Sequence, residues 1–310
     1  MQLNTSMSRS VLWTLAQLLF VLLGVSAVVF ALTRLSGDPA VMLLPPEATE
    51  QEREAFRSAY GLNQPLHEQY LRFLQRALSG DLGKSIAFSE PALKLILRRF
   101  PATAELAFGA MMIVLLGIPA GIIGAFNRGT LVDRLVMLLA ILGQSLATFW
   151  FGIMLILLFA VHWRLVPPSG RGSLAQLILP ALTLAMYGTA VMARLTRSSM
   201  LEVLGEDYVR TARAKGISEL MVICRHAFVN TLIPIVTVLG VQLGNLMAGA
   251  VVTEAVFAWP GLGSLTVEAI YRRDYPLVQA IILFFALMYV CINMLVELLY
   301  AYLDPRVRAS

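Results

Sequence analysis

The sequence predicts an all-α integral membrane protein with six transmembrane helices and both termini in the cytoplasm, and two observations lead to this fold class. Of the 310 residues, 58% are hydrophobic and only 14% are charged, whereas soluble domains have about 45–50% apolar and about 25% charged residues. The apolar residues also form continuous runs of about 20, the length of a helix that crosses a bilayer. Barrel strands would alternate polar and apolar residues, so helices are the structure that satisfies the backbone in lipid.

Each predicted span is a segment without Lys or Arg that is long enough to cross a hydrocarbon core of about 30 Å. The six segments are 11–33, 101–126, 135–161, 175–193, 231–256 and 277–303. The first could be a secretory signal peptide, but its apolar run exceeds the roughly 7–15 residues of a signal h-region, which favours an uncleaved first span. The fourth is the least typical span, because it is short and contains Pro180 and Gly188.

The distribution of basic residues predicts the orientation of the spans. With the N-terminus in the cytoplasm, the inner side holds eleven Lys and Arg residues, and the short outer loops hold four, Arg164, Arg171, Arg272 and Arg273. Cytoplasmic loops carry such an excess of basic residues, which places both termini inside. Topology therefore explains the net charge of +5, and no basic stripe interleaved with aromatic residues indicates a nucleic-acid partner.

These spans divide the chain into parts with different roles. The outer loop carries two helix patterns, one over Glu47–Tyr60 and an amphipathic one that begins near Pro65 and ends at Gly80. We expect this loop to form a small folded cap that either braces the spans or serves as a docking or gating surface. The predicted parts are the N-terminus with the first helix (1–33), the outer helical cap loop (34–100), a five-helix transmembrane core (101–303) with a cytoplasmic loop (198–230), and a cytoplasmic tail (304–310).

No residue pattern in the sequence indicates a catalytic or metal site. The histidines are isolated and lack ligand spacing, the two cysteines cannot form a disulfide framework, and neither a metalloprotease motif nor a nucleophile elbow occurs. Gly83-Lys84-Ser85 looks like the end of a phosphate-binding loop, but that motif requires a glycine where the chain has Leu78. We therefore expect a non-catalytic chain without a metal, a cofactor or an ATPase site of its own.

The loop between the fourth and fifth segments is predicted to form a short helix, a tight turn and a second helix. Acidic residues lead the short helix and basic residues end it, which suits the helix dipole. Leu204, Tyr208 and Ala212 are expected to share one face, Gly216 to stop the helix, and Ser218 to cap the next one. The short helix is either a solvated connector at the headgroup surface or an insert for a groove on a partner.

Seven short motifs follow one another along the chain. They are Gly37-Asp38-Pro39, Pro101-Ala102-Thr103-Ala104-Glu105-Leu106, Tyr208-Val209-Arg210-Thr211-Ala212-Arg213-Ala214-Lys215-Gly216, Arg225-His226-Ala227, Asn230-Thr231-Leu232-Ile233-Pro234, Val256-Phe257-Ala258-Trp259-Pro260-Gly261-Leu262-Gly263 and Arg273-Asp274-Tyr275-Pro276. With these motifs the sequence resembles, over nearly its whole length, the binding-protein-dependent ABC importer permeases of the dipeptide/oligopeptide/nickel branch. The general importer pattern has Glu-Ala-Ala where this chain has Arg210, Thr211 and Ala212, so the role of that glutamate is not carried over.

The resemblance implies a type I ABC importer permease fold in a multi-pass protein of the bacterial inner membrane. Besides the lipid bilayer, it implies a second homologous permease in a heterodimer, two ATP-binding-cassette ATPases that bind ATP and Mg²⁺, and a periplasmic substrate-binding protein. The ATPase-coupling residues that it identifies are Tyr208, Arg210, Thr211, Ala212, Arg213, Ala214, Lys215 and Gly216. The residues that it places toward the binding protein, together with the outer loop, are Trp259, Arg273, Asp274 and Tyr275.

Polar residues cluster in the middle of two predicted spans. They are Gln144, Ser145 and Thr148 in the third span and Gln242 and Asn245 in the fifth. Because polar groups in hydrocarbon face a bundle interior or a cavity, these residues either line a translocation pathway or bond between helices. Two G-x-x-x-G pairs, Gly117 with Gly121 and Gly240 with Gly244, predict close helix packing, either within this chain or against the second permease.

The predicted function is the transmembrane permease subunit of an ATP-driven importer, forming half of the pathway for peptides that a binding protein delivers. Nickel, a metal–chelator complex or glutathione is the alternative substrate within the same branch. A stand-alone secondary transporter is less favoured, since the sequence shows neither an inverted repeat nor ionisable groups at mid-span. An intramembrane enzyme would need a nucleophile–base pair or a metal cluster, and the sequence indicates neither.

Overall fold

The computed structural model describes residues 20–31, 40–41, 44, 47–59, 61 and 63–303. This described part is mainly helical, and its β pairing is limited to an isolated antiparallel bridge between Lys84 and Pro91. The helices before residue 130 are α1 (Phe20–Ala31), α2 (Glu50–Ala59), α3 (Leu66–Leu78), α4 (Ala92–Val114) and α5 (Gly117–Phe126). The later helices are α6 (Leu131–Ser145), α7 (Thr148–Leu155), the π-helix π1 (Ile156–His162), α8 (Leu174–Leu204), α9 (Asp207–Ala214), α10 (Glu219–Met221), the π-helix π2 (Val222–Ala227), α11 (Phe228–Val256), α12 (Leu262–Tyr271) and α13 (Tyr275–Leu303).

The described residues form two units. The first unit contains residues 102–260 and 291–303, and the second contains residues 20–101 and 261–290. The long helices α4 and α13 each contribute residues to both units. The predicted coupling loop and the polar span residues all belong to the first unit.

Within the described residues, four helical stretches are long and apolar enough to cross a membrane. They are Ala92–Phe126, Leu174–Leu204, Phe228–Val256 and Tyr275–Val296, and they coincide with four of the six predicted segments. Helix α1 covers only part of the predicted segment 11–33, and the remainder of that segment lies outside the described residues. The chain is thus an all-helical membrane protein, and its described residues contain four or five candidate spans, depending on how the third segment is counted.

The third predicted segment, 135–161, is broken and does not form one continuous helix. Helix α6 meets the pair α7 and π1 at an angle of 109°, with Leu146 and Ala147 extended between them. The hydroxyl of Ser145 donates to the carbonyl oxygen of Ile141 at 2.9 Å, a local bond of the kind that bends helices. Hydropathy does not reveal this break, because the sequence is apolar on both sides of it.

The second predicted segment also differs from its helix at one end. Helix α4 begins at Ala92, earlier than the predicted start at residue 101, and Pro101 lies inside it. The basic residues that marked the predicted boundary are accommodated on the first turns of the helix, where Lys94 Nζ lies 2.9 Å from Glu90 Oε2. The loop that was predicted to reach residue 100 therefore ends near residue 91.

Helix α8 is the central helix of the first unit. It packs against α5, α6, α7 and α11, and Pro180 and Gly188 are among its buried residues. A capping box begins the helix, in which the backbone N–H of Ser173 donates to Gln176 Oε1 at 3.0 Å. Of the four candidate spans, α8 has the lowest mean hydropathy and the largest buried share, so its neighbours replace lipid around its less apolar residues.

The G-x-x-x-G pair of α5 packs within this chain. A Cβ atom at Gly117 or at Gly121 would lie 2.5 Å from a backbone carbonyl oxygen of α8, a distance that real Cβ atoms do not adopt. Gly240 on α11 likewise faces the side chain of Val296 on α13, and all of these residues belong to the first unit. For these three glycines, the packing within the chain accounts for the absence of a side chain.

The second unit has an apolar core and an aromatic cluster. The core residues are Ala92, Leu95, Ile96, Leu262, Leu265, Ala269, Leu277, Ala280 and Ile281. The two helices predicted in the outer loop are present as α2 and α3. Tyr70 and Phe73 of α3 pack against Phe30 of α1 with ring centroids 5.4 and 6.1 Å apart, and the hydroxyls of Tyr70 and Ser26 lie 2.7 Å apart.

Candidate functional site

The predicted coupling residues form helix α9 and the turn that follows it. Helix α9 buries Val209 and Ala212, which pack with Val222 of π2 and with the partly buried Leu204 and Ile217. The other predicted coupling residues are exposed, namely Tyr208, Arg210, Thr211, Arg213, Ala214, Lys215 and Gly216. The helix thus turns one narrow apolar face toward its own unit and offers the rest of its surface to solvent or a partner.

The predicted face of this short helix is only partly correct. Tyr208 was expected to lie beside Ala212, but its side chain is exposed and Val209 takes the buried position one turn before Ala212. The hydroxyl of Tyr208 instead accepts a hydrogen bond from Asn230 Nδ2 at 2.8 Å. This bond joins α9 directly to the first turn of α11, a connection that the sequence pattern did not indicate.

Gly216 ends helix α9 as predicted. Its backbone has φ of +76°, its N–H donates to the carbonyl oxygen of Arg213 at 2.9 Å, and the N–H of Ile217 donates to that of Ala212 at 3.4 Å. These two bonds and the left-handed residue define a Schellman motif. Ser218 occupies the N-cap position of the next helix, but its side chain makes no capping hydrogen bond, so that part of the prediction is wrong.

An ion pair spans the glycine turn. Arg213 Nε and Nη2 donate to the two carboxylate oxygens of Glu219 at 3.1 and 2.6 Å. The hydrogen bonds from Arg213, with its charge, lower the pKa of Glu219 below its ordinary value. Because this pKa is depressed in the folded state, the contribution of the pair to stability is present at neutral pH and is lost as the pH falls through that pKa.

A π-helix connects the coupling loop to a candidate span. Residues Val222–Ala227 form π2, which continues directly into α11. Single turns of π-helix are frequent at functional sites. The apolar periodicity of this stretch does not distinguish a π-helix from an α-helix, which is why the sequence did not predict it.

Three of the five polar span residues line one cavity of about 370 Å³ in the first unit. These residues are Thr148, Gln242 and Asn245, and they come from two helices that are remote in sequence. Tyr187 and Gly188 of α8 also line the cavity, and sequence reasoning missed both. Non-helical backbone at membrane depth is tolerated where it is buried or lines a cavity, and the break before α7 places Thr148 at this cavity.

The other two polar span residues lie away from the cavity wall. The hydroxyl of Ser145 bonds to its own helix, at the carbonyl oxygen of Ile141. Gln144 is partly buried, and its Nε2 atom has no hydrogen-bond partner among the described residues. The structure therefore does not bring Gln144 and Ser145 together with the other three.

Two of the four residues predicted to face a binding protein are fully buried. In the first unit, the Trp259 side chain is 0% exposed, and its indole N–H donates to the carbonyl oxygen of Ala102 at 2.8 Å. In the second unit, Asp274 is 1% exposed. Arg273 is exposed and Tyr275 is partly exposed, so only these two offer side chains to a partner.

Asp274 organises a buried cluster of hydrogen bonds in the second unit. Its Oδ2 atom accepts from the hydroxyl of Ser85 at 2.5 Å and from the N–H of Ala87 at 3.0 Å. Its Oδ1 atom accepts from the N–H of Leu277 at 3.2 Å. Ser85 belongs to the segment that looks like a phosphate-binding loop. Its hydroxyl is instead bonded to a buried carboxylate of the protein itself.

Asp274→Ala should destabilise the second unit. The substitution leaves the Ser85 hydroxyl and two backbone N–H groups without their buried acceptor, and each such loss costs about 1–3 kcal/mol. We expect a lower thermal unfolding midpoint for the purified protein in detergent. Arg273→Asn is the matched control, because Arg273 is exposed and asparagine tolerates its left-handed backbone, φ +54°. Equal midpoints for the two variants would contradict a structural role for Asp274.

Within the described part of the chain, no group of three or more His, Cys, Asp or Glu residues could hold a metal ion. Two acidic residues near the ends of the spans have other partners in the first unit. Glu254 Oε1 accepts from the hydroxyl of Thr103 at 2.6 Å, and Glu105 Oε2 lies 2.6 Å from Arg171 Nη2. These carboxylates therefore connect helices and loops.

Two family models match the chain. Residues 117–309 match the family described as the binding-protein-dependent transport system inner membrane component. Residues 7–107 match the family described as the N-terminal part of the binding-protein-dependent transport system membrane component. Together the two matches include the coupling loop, the cavity and the outer loop.

Proteins of known role are similar to this chain over most of its length. It is 41% identical over 320 residues to the dipeptide transport system permease protein DppB of Escherichia coli (strain K12), with 92% of this chain and 94% of that protein covered. It is 44% identical over 286 residues to the glutathione transport system permease protein GsiC of the same strain, with the same coverage of 92% and 94%.

Solved structures of ABC transporters share the fold. A structure of the MetNI methionine ABC transporter in an inward facing conformation superposes with a TM-score of 0.60 at 17% identity, covering 70% of this chain and 99% of that chain. A chain of an amino acid ABC transporter superposes with a TM-score of 0.52 at 15% identity, covering 68% and 94%. At these identities the likeness concerns the fold alone.

Proposed function

We propose a transport role from the premise that this chain belongs to the family of binding-protein-dependent transport system inner membrane components. The chain is a non-catalytic, multi-pass permease of an ABC importer in the inner membrane. We propose that it forms half of the translocation pathway for dipeptides or oligopeptides. The identity of 41–44% over 92% of the chain to permeases of dipeptide and glutathione transport carries this proposal, and glutathione, itself a small peptide, is the second candidate.

The coupling loop is the proposed contact with the ATPase subunits. Its helix α9 buries only Val209 and Ala212, and seven of the eight predicted coupling residues, in this helix and in the turn after it, are exposed. An exposed short helix is suited to a groove on a partner. The bond from Arg213 to Glu219 holds this helix to α10, and the bond from Asn230 to Tyr208 holds it to the first turn of α11, so movement of the helix would be passed on to a candidate span.

The remaining partners follow from the family. The proposed importer contains a second homologous permease, two ATPase subunits that bind ATP and Mg²⁺, and a periplasmic binding protein. We propose six spans with both termini in the cytoplasm, an outer cap loop from near residue 34 to near residue 91, and a coupling loop near residues 198–230. The excess of basic residues on the proposed inner side supports this orientation.

The outer face and the pathway are assigned to different residues. Arg273 and Tyr275 remain the proposed contacts for the binding protein, since their side chains are at least partly exposed. Thr148, Gln242 and Asn245 are the proposed pathway residues, since they share a cavity. Gln144 and Ser145 were predicted for the same pathway but lie away from that cavity wall, so the proposal rests on the other three residues.

Reconstitution of the complete importer tests the proposed function. We expect liposomes that contain this chain, its second permease, both ATPases and the binding protein to take up dialanine only when ATP is present. Liposomes that lack the ATPase subunits are the control and should show no uptake. ATP-independent uptake by this chain alone would contradict the importer role, and uptake of glutathione without dialanine would select the second candidate.

A further inference from the structure

The cavity of the first unit is uncharged. Its volume of about 370 Å³ lies within the range of about 300–1,000 Å³ that is typical of ligand pockets. Its walls come from α7, α8 and α11, and no lining residue, all of them in the described part of the chain, is charged. Any group that enters this cavity therefore meets apolar surface and neutral hydrogen-bonding groups.

Gln242 directs a hydrogen-bond donor into this cavity. Its side chain is only 3% exposed, and its Oε1 atom already accepts from Asn245 Nδ2 at 3.1 Å. Within the described residues, no acceptor is bonded to Gln242 Nε2. A Cβ at Gly188 would lie 3.5 Å from that nitrogen and 2.8 Å from Val114 Cγ2, so the glycine lets Val114 and the Gln242 amide approach α8 closely.

Acceptors lie beside this donor. The bond to Gln242 uses the nitrogen of the Asn245 side chain, which leaves Asn245 Oδ1 as an acceptor. Thr148 also lines the cavity, and its hydroxyl can donate or accept. A peptide bond has one N–H donor and one carbonyl acceptor, which complements a wall that offers both an amide N–H and an acceptor oxygen.

We propose that this cavity holds an uncharged peptide-bond group of the transported substrate, with Gln242 Nε2 donating to its carbonyl oxygen and Asn245 Oδ1 or Thr148 Oγ1 accepting from its N–H. The inference rests on the proposed function, because it assumes that a peptide passes through this unit. It adds the substrate group that is recognised and identifies Gln242 as the main donor, while the ring of Tyr187 supplies apolar surface beside it.

A neutral wall has a consequence for selectivity. Burying a charge without a counter-charge is far more costly than burying a hydrogen-bonded amide, so charged termini and charged side chains cannot be held here by this wall. A peptide bond is present in every peptide whatever its side chains. The cavity is therefore expected to contribute equally to the transport of neutral, basic and acidic peptides.

Uptake by the complete reconstituted importer tests this inference. Wild type and Gln242→Leu are compared with Ala-Ala, Ala-Lys and Ala-Glu at saturating binding protein, so that the selectivity of the binding protein cancels in the ratio of the two rates. Loss of one neutral hydrogen bond should lower uptake by about three- to tenfold, by the same factor for all three dipeptides. Thr237→Val is the matched control, because its hydroxyl bonds to Ile233 O of the same helix and its uptake should match wild type.

Each other outcome counts against the inference. Wild-type uptake by Gln242→Leu, or a loss confined to one charge class of dipeptide, overturns it. If Gln242→Leu does not co-purify with its partner subunits, Gln242→Met, which has nearly the shape of glutamine but lacks the donor, is measured in its place, and unchanged uptake by that variant overturns it. If the wild-type importer takes up none of the three dipeptides, the proposed function fails as well, and this result is distinct from a loss seen only in the variants.

Discussion

Gly216→Val is expected to uncouple ATP hydrolysis from transport while the spans still assemble. Gly216 has φ of +76°, and the left-handed backbone costs a residue with a Cβ about 1–2 kcal/mol, with β-branched residues being outliers there. No atom lies within 4 Å of the position that a Cβ would occupy, so the effect is on the turn and not on packing. We expect ATP-driven uptake in liposomes to fall by about tenfold or more, since about 1.4 kcal/mol corresponds to tenfold.

The reason for this expectation is the geometry of the Schellman turn. Gly216 directs the chain from α9 into the segment that pairs Glu219 with Arg213, so a shift of its backbone displaces the helix that we propose to contact the ATPase. Gly216→Asn is the matched control, because asparagine tolerates the left-handed region. ATP hydrolysis and uptake are measured on the same vesicles, and a valine variant that transports at the rate of wild type would show that the turn has no role in coupling.

Gly121→Ala adds only one methyl group, but we expect it to destabilise the first unit severely. The added Cβ would lie 2.5 Å from the backbone oxygen of Ala193 and 2.7 Å from Thr196 Cβ on α8. A backbone oxygen cannot rotate away as a flexible side chain can, so α5 and α8 must separate. Overpacking of this kind costs about 1–3 kcal/mol, and we expect a lower thermal unfolding midpoint and a reduced yield of protein in detergent.

Gly124→Ala on the same helix is the control for this substitution. A Cβ at Gly124 would lie 3.5 Å from Arg197 Cδ and Val136 Cγ1, which is ordinary van der Waals contact. Alanine is favoured over glycine in a helix by about 1 kcal/mol, so this variant should unfold at the same temperature as wild type or slightly higher. Similar midpoints for the two alanine variants would show that close packing of α5 on α8 is not required.

The turn at Gly216 and the close approach at Gly121 differ in how far the sequence predicts them. A glycine at the end of a short amphipathic stretch predicts a left-handed C-cap, because the conformation depends on neighbouring residues only. The spacing of Gly117 and Gly121 predicts close packing of some helix, but it does not say which one. The identity of the neighbour, α8, depends on how segments distant in the sequence fold together.

For the polar span residues, Trp259 and Asp274 as well, the sequence did not predict contacts between remote segments. The sequence indicated that Thr148, Gln242 and Asn245 face protein rather than lipid, because polar groups in hydrocarbon require partners. It did not show that they share a cavity with Tyr187, which required the break before α7. Trp259 and Asp274 were read as surface residues from their motif, and the structure buries both, with their polar atoms bonded to residues far away in the sequence.

The sequence by itself determined the membrane class, the position of most candidate spans, the helix–turn–helix form of the predicted coupling loop and the family. These properties depend on hydropathy over about 20 residues, on local backbone preferences and on motifs, all of which are encoded within short stretches of chain. The tertiary structure alone decided where the third segment breaks and which helix packs against each glycine face. It also decided that Trp259 and Asp274 are buried, and which residues line the cavity. Those properties depend on contacts between remote segments, whose geometry is set by the packing of whole helices against one another.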